Sequence, residues 1–179
     1  MRVIGGEFRS RRLKALRGRA LRPTSDRLRE TLFNVLGDEV AGTTFVDAYA
    51  GTGAVGIEAL SRGAAHAIFI ENNRQAVSVL RENLRALGVE RRATVLNRPA
   101  RGALAGLRAG IVFLDPPYDE LAEYEGALTA LGDNPPSLVV AEHAARIALA
   151  PSYGSLRRAR TLRQGSSSLG FYRPPHGSL

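Results

Sequence analysis

Cysteine is absent from this 179-residue chain, which excludes disulfides, thiolate catalysis and cysteine-ligated zinc. No apolar run reaches the roughly 18 residues that a membrane span needs. The start, Met1-Arg2-Val3-Ile4-Gly5-Gly6, has no signal-peptide core either. A cytoplasmic protein with no membrane partner is therefore expected. Histidine is limited to His66, His143 and His176, scattered without the spacing of metal ligands, so no metal site is expected. Lysine is reduced to Lys14, although Lys and Arg together number 25. The net charge of +8 and the pI near 10.9 thus belong to arginine. A planar guanidinium fork suits phosphate and base stacking, which makes a polyanion the natural partner. With 44% hydrophobic residues, a chain of this size reads as one domain able to bury about 70% of its unfolded surface.

Residues 2–14 set Val3, Ile4, Phe8 and Leu13 among charges around Gly5-Gly6. That is the pattern of a short hairpin or extended arm. Its outer side would carry Arg9, Arg11, Arg12 and Lys14. A glycine-hinged basic arm can grip a nucleic-acid backbone, and a merely solvated face would read the same way. Next, Thr24 or Ser25 can cap a helix, Asp26 favours its first turn and Gly37 ends it. The helix predicted over 25–36 buries Leu28, Leu32, Val35 and Leu36. Arg22, Arg27 and Arg29 stand at or near its amino end, where helix N–H groups favour anions.

From Thr44 onward, strands predicted at 44–48, 67–71, 93–97, 110–115 and 137–142 alternate with helices at 54–62, 74–87 and 120–131. This alternation predicts an α/β, doubly wound, mostly parallel sheet with right-handed crossovers. Residues 155–162 and 168–173 predict an antiparallel C-terminal hairpin at its edge, and residues 174–179 a frayed end.

Two stretches in this frame carry chemistry. In the first βα turn, Gly51, Gly53 and Gly56 fit Gly-x-Gly-x-x-Gly, and Glu71 closes the second strand twenty positions after Gly51. An acid there can bind a ribose diol, so a dinucleotide is one reading. Asp47 argues otherwise, because a carboxylate four residues before Gly51 repels a pyrophosphate and attracts an ammonium or sulfonium. The second stretch ends the apolar strand before Asp115-Pro116-Pro117-Tyr118. The prolines fix the backbone at the sheet's carboxyl edge, where such folds bind ligands. There Asp115 and the Pro116 carbonyl can accept hydrogen bonds from a planar amine while Tyr118 covers its ring. A turn with a solvated Asp and a packing Tyr is the plain alternative. S-adenosylmethionine satisfies both stretches, its cationic end over the glycine loop and its ribose at Glu71. The residues expected to bind it are Asp47, Ala48, Tyr49, Gly51, Thr52, Gly53, Glu71 and Asn72. In the loop after the third strand they are joined by Pro99 and Ala100. Proline at 99 has no N–H or polar side chain, so adenine would rely on the Ala100 backbone or on apolar packing.

On these residues the chain resembles the bacterial small-subunit rRNA guanine-N2 methyltransferase family, nearly end to end. The stretches that carry the likeness are residues 2–6, 21–34, 47–64 and 115–118. The glycine loop and Asp-Pro-Pro-Tyr are shared by many amino-methyltransferases. The Gly-Gly arm and the Arg22-Pro23-Thr24 block are more particular to this family. The resemblance implies a Rossmann-like class I methyltransferase that transfers a methyl group to the N2 amine of a guanine in 16S rRNA. The acceptor would be presented in an assembling small subunit, and S-adenosylhomocysteine would be the product. It also implies one domain, with a basic arm and helix over 1–40 and a catalytic core over 41–179. The catalytic candidates are Asp115, Pro116, Pro117 and Tyr118, and the RNA contacts Arg9, Arg11, Arg12, Lys14, Arg22, Arg27 and Arg29. With no spare apolar helix face, a monomer is expected. An adenine-N6 methyltransferase and an RNA-binding assembly factor without chemistry are the alternatives. An NAD-dependent oxidoreductase would leave Asp47 and Tyr118 without a role, and protein glutamine methylation usually has Asn in place of Asp115.

Overall fold

The computed structural model describes residues 1–16, 24–116 and 120–175. Arg22, Pro117 and Tyr118, and residues 176–179 of the end expected to fray from 174, lie outside the described residues.

Ser25 caps the first helix, α1 (Asp26–Leu36), by accepting the Leu28 N–H at 3.1 Å, and Gly37 ends it at φ 50°. The chain then alternates β1 (Thr44–Ala48), α2 (Ala54–Ser61), β2 (His66–Ile70), α3 (Arg74–Leu87), β3 (Ala93–Leu96), α4 (Ala100–Leu104), β4 (Ile111–Leu114), α5 (Leu121–Gly132) and β5 (Leu138–Ala144). A two-residue β6 (Ser152–Tyr153) precedes the hairpin of β7 (Leu156–Gln164) and β8 (Ser167–Arg173). All belong to one sheet of order β3-β2-β1-β4-β5-β8-β7-β6. The first five strands are parallel and the last three pair antiparallel. The helix α4 was not expected, because five residues are too few to show a helical period. β5 runs two residues past its expected end because β8 keeps pairing with it, to Ala144 opposite Ser167.

Alternation along each strand sends side chains to two faces, and both are covered. Phe45, Phe113, Val140 and Phe171 pack with Leu28, Leu32 and Phe33 of α1 and with Val55 and Ala59 of α2. On the other face Val46, Leu114, Val139 and Tyr172 pack with α4 and with Tyr124 and Leu128 of α5. That double burial is why Ile111–Leu114 reads as an unbroken apolar run. No helix among the described residues is long and apolar enough to cross a membrane.

The N-terminal residues form a hairpin closed by an Arg2–Arg12 bridge. It is docked on the core. Val3, Phe8 and Leu13 are buried against Ile57, Leu60, Leu80 and Leu84, each worth about 1.5–3 kcal/mol of transfer free energy. Gly5-Gly6 is accordingly a point of close approach and not a hinge. Gly6 has φ 76°, a Cβ there would overlap the Ser61 carbonyl, and one at Gly5 would meet the Arg62 guanidinium. Glu58 seats the turn by accepting the N–H groups of Ile4 and Gly5, both at 2.8 Å.

Candidate active site and nucleic-acid interface

The turn from β1 into α2 is shaped by backbone that most residues avoid. Tyr49, Gly51 and Gly53 have φ of 66°, 55° and 89°, and a non-glycine residue at positive φ marks a position held by its surroundings. Tyr49 is held through its hydroxyl, which donates to Glu123 of α5 at 3.1 Å. Burial, together with the Glu123 carboxylate, raises the Tyr49 pKa further above its ordinary value, so it stays a donor. Gly51 turns an open side outward, since a Cβ there would meet nothing within 4 Å. Gly56 lets α2 lie directly on Phe69 of β2. Thr52 is half-buried, and its carbonyl accepts from Asn83 Nδ2 at 3.0 Å. Asn83 also bonds both the N–H and the carbonyl of Lys14, at 2.8 and 3.1 Å, and so ties the hairpin to the glycine turn.

Two acids organise this turn. Glu71 accepts the Gly51 N–H through one oxygen and the Asn73 N–H through the other, both at 2.8 Å. A carboxylate has about four acceptor sites, so capacity for a diol remains. Asn72 beside it is exposed. Asp47 is buried and accepts the Gly56 N–H at 2.8 Å. Its burial raises the pKa to about 7. The Gly56 bond and Arg29 oppose that rise, and Glu71 adds to it. Ala48 is fully buried, leaving its backbone as its contribution to the turn. After β3, Asn97 Nδ2 donates to the Glu71 carbonyl at 2.9 Å. Pro99 then stands exposed at the amino end of α4, with Ala100 as the first helical residue. Gly51, Glu71 and Pro99 follow the carboxyl ends of the neighbouring strands β1, β2 and β3, with Gly51 open and Glu71 half-exposed.

Asp115 follows β4 directly beside this turn, because Leu114 is in register with Ala48 on the adjacent strand. It is half-buried, and Pro116 after it is buried. Two partners were missed from sequence. Thr24 Oγ1 donates to Glu142 Oε2 at 2.7 Å and lies 3.4 Å from Asp115 Oδ2. Thr24 therefore does not cap α1, a role Ser25 takes, but spans the carboxyl ends of β4 and β5. Glu142 had one available signal, an acid closing an apolar strand as Asp115 does.

The basic residues divide by burial. Arg9, Arg11, Arg12 and Arg27 are exposed, and a groove of about 310 Å³ between hairpin and α1 is lined by Arg2, Arg9, Ser10, Arg27 and the acids Asp26 and Glu30. Lys14 is exposed and paired with Glu82 at 2.6 Å. Arg29 is a correction to the expected RNA contacts. Its side chain is 0% exposed, donating to the Arg2 carbonyl at 2.6 Å and to Asp26 at 3.0 Å, 3.8 Å from Glu58. Burial lowers its pKa, against the pull of Glu58 and Asp26. No phosphate can reach it there. It holds the hairpin to α1.

This strand order, with a glycine turn after β1, an acid after β2 and Asp115 after β4, defines the class I methyltransferase fold. A family model described as "Conserved hypothetical protein 95" matches residues 1–173. YlbH of Bacillus subtilis is 35% identical over 184 residues, covering 97% of this chain and 98% of its own. Ribosomal RNA small subunit methyltransferase D of Haemophilus influenzae is 37% identical over 140 residues, 75% of this chain and 72% of its own. A solved structure of the Escherichia coli protein yhhF has a TM-score of 0.86 at 36% identity, with 97% of each chain covered. The chain belongs to the rRNA small subunit methyltransferase D family.

Proposed function

We propose that this protein methylates the exocyclic N2 of a guanine in small-subunit rRNA, with S-adenosylmethionine as donor. The observation that carries the reading is the adjacency of Asp115 to the Tyr49–Gly53 turn at the ends of two paired strands. Glu71 would take the ribose hydroxyls, and the open side of Gly51 would let the ligand approach the backbone. Asp47, buried beneath the turn, would hold its shape through the Gly56 N–H and favour a cationic group only in its ionised form. The sulfonium supplies an activated methyl group, so the chain's own task is to orient the acceptor.

Guanine's amine is a weak nucleophile because its lone pair is delocalised into the ring. Asp115 and the Pro116 carbonyl would each accept one of its N–H groups, turning the lone pair toward the donor and stabilising positive charge that grows on nitrogen. As the N–CH3 bond forms and the S–CH3 bond breaks, nitrogen gives up one proton, for which Asp115 is the adjacent base. Thr24, whose hydroxyl donates to Glu142, would limit where this carboxylate can sit by lying 3.4 Å from it. Tyr118 would stack on the flipped base, offsetting part of an unstacking cost of a few kcal/mol with about 1–3 kcal/mol. The exposed Arg9, Arg11, Arg12 and Arg27 would hold flanking phosphates.

Labelled S-adenosylmethionine, offered with unmodified small subunits, naked 16S rRNA, duplex DNA or cell protein and followed by nucleoside analysis, tests the reading. N2-methylguanosine in the rRNA is the expected product. N6-methyladenosine, or label confined to DNA or protein, would reject the acceptor.

A further inference from the structure

Charge is unevenly spread along this chain. Residues 143–179 contain six arginines and no Asp or Glu, a charge of +6, so the 142 residues before them net only +2. Most of the six stand on the β7–β8 hairpin, at the opposite end of the sheet from the N-terminal hairpin, which packs over α2 and α3 beside β2.

Their partners differ. Arg173 makes two 2.8 Å bonds to Glu39. Arg157 donates to the carbonyls of Gly154 and Leu156, and Arg158 to that of Leu149. Arg160 and Arg163 are exposed. Arg160 has no side-chain hydrogen bond or ion pair among the described residues, and Arg163 has one bond of 3.4 Å, to Gly165 in its own turn. A bulge between Arg158 and Arg160 shifts the register, so Arg160 shares a rung with Phe171 on the α1 face and Arg163 one with Ser168 on the α5 face, and the two flank the β7 edge from its two sides.

Position relative to Asp115 follows from the ladder. The rung after Leu114–Ala141 passes through Glu142, Leu169 and Leu162, and Arg163 stands one rung further toward the same edge. β7 lies three strands from β4, about 14 Å at the usual spacing. Charge on an edge strand also prevents sheet-to-sheet pairing, and β6 covers only Leu156 and Arg157. Edge protection is served by either sign. A segment of 37 residues with arginines and no acid selects one sign, and arginine's fork matches phosphate.

We propose that Arg160 and Arg163 form a second phosphate contact, gripping the RNA on the side of Asp115 opposite the N-terminal hairpin. This rests on the rRNA reading above. Binding of labelled naked 16S rRNA and of assembled small subunits is measured against KCl concentration for the wild type, Arg160→Ala/Arg163→Ala and Arg160→Glu/Arg163→Glu, with S-adenosylmethionine affinity and Tm as controls. Loss of two phosphate contacts reduces the logarithmic salt slope by about 1.4 and weakens binding about tenfold near 150 mM salt. The charge reversal should weaken it further, with both controls unchanged. A wild-type slope retained in both variants overturns the second contact and leaves the rRNA reading standing. Wild-type protein that binds neither naked rRNA nor assembled subunits overturns the rRNA reading, and the second contact with it. Weakened binding to assembled subunits, with naked rRNA unaffected, would show the strip docking on a subunit protein and would also overturn it.

Discussion

The hydroxyl of Thr24 donates to the Glu142 carboxylate at 2.7 Å across 118 residues of chain. Both are buried, and the bond joins the entry to α1 to the end of β5, with Asp115 Oδ2 3.4 Å from the same oxygen. Thr24→Val should withdraw a donor from a buried acid at a cost of about 1–3 kcal/mol. At about 2–4 °C per kcal/mol for a chain of this length, Tm falls by several degrees. Turnover should drop with it, and Thr24→Ser should restore both. A Thr24→Val protein with unchanged Tm and turnover would show the bond to be idle.

Asp115 and Glu71 should separate in a kinetic test. Asp115→Ala is expected to abolish methyl transfer while donor affinity changes by less than about tenfold, near 1.4 kcal/mol. Glu71→Ala removes a charged acceptor from Gly51 and Asn73 and should weaken donor binding by about 1.5–3 kcal/mol, roughly ten- to a hundredfold. Calorimetric titration with the donor distinguishes them, and equal loss of affinity in both variants would contradict the division.

Asp47 makes stability depend on pH. Its pKa is about 7 when folded, against an ordinary 3.8. Between those values the folded chain keeps a proton that the unfolded chain has released. The stabilisation is complete below the lower value and is lost as pH rises through the upper one. Thermal melts from about pH 4.5 to 7.5 should show this decline in the wild type beyond that in Asp47→Asn, whose amide oxygen still accepts from Gly56. Parallel curves would remove Asp47 as the source.

Arg29 tests burial against charge. Arg29→Gln removes a cation buried beside Glu58 and Asp26 and should destabilise by about 3–5 kcal/mol, the range for breaking a buried pair. The salt dependence of RNA binding should not move. Arg9→Ala/Arg12→Ala should do the reverse, leaving Tm in place and reducing the logarithmic slope by about 1.4. A change of slope in Arg29→Gln at full occupancy of the folded state would return this arginine to the RNA face.

Much of the architecture was legible because its causes are local. Ser25 before an amphipathic stretch, Gly88 after one, and the Gly51-x-Gly53 turn each act within a few residues, and the helices and strands stand within one or two positions of their expected bounds. The five-residue α4 lacked the length to display a period.

Taken alone, the sequence determined the alternation of elements, the glycine turn with its following acid, and the apolar strand that delivers Asp115 to the carboxyl edge of the sheet. These are properties of neighbours along the chain, set by backbone sterics and by the period of burial. Only the tertiary structure decided which arginine is inside and which is out, since Arg27 and Arg29 differ by two positions and by a complete change of environment. It likewise made Gly5-Gly6 a packing contact and brought Thr24 to Glu142. Those outcomes depend on which strands become neighbours and which helix face meets the sheet. Such contacts close loops of fifty to more than a hundred residues and leave no mark on the residues beside them.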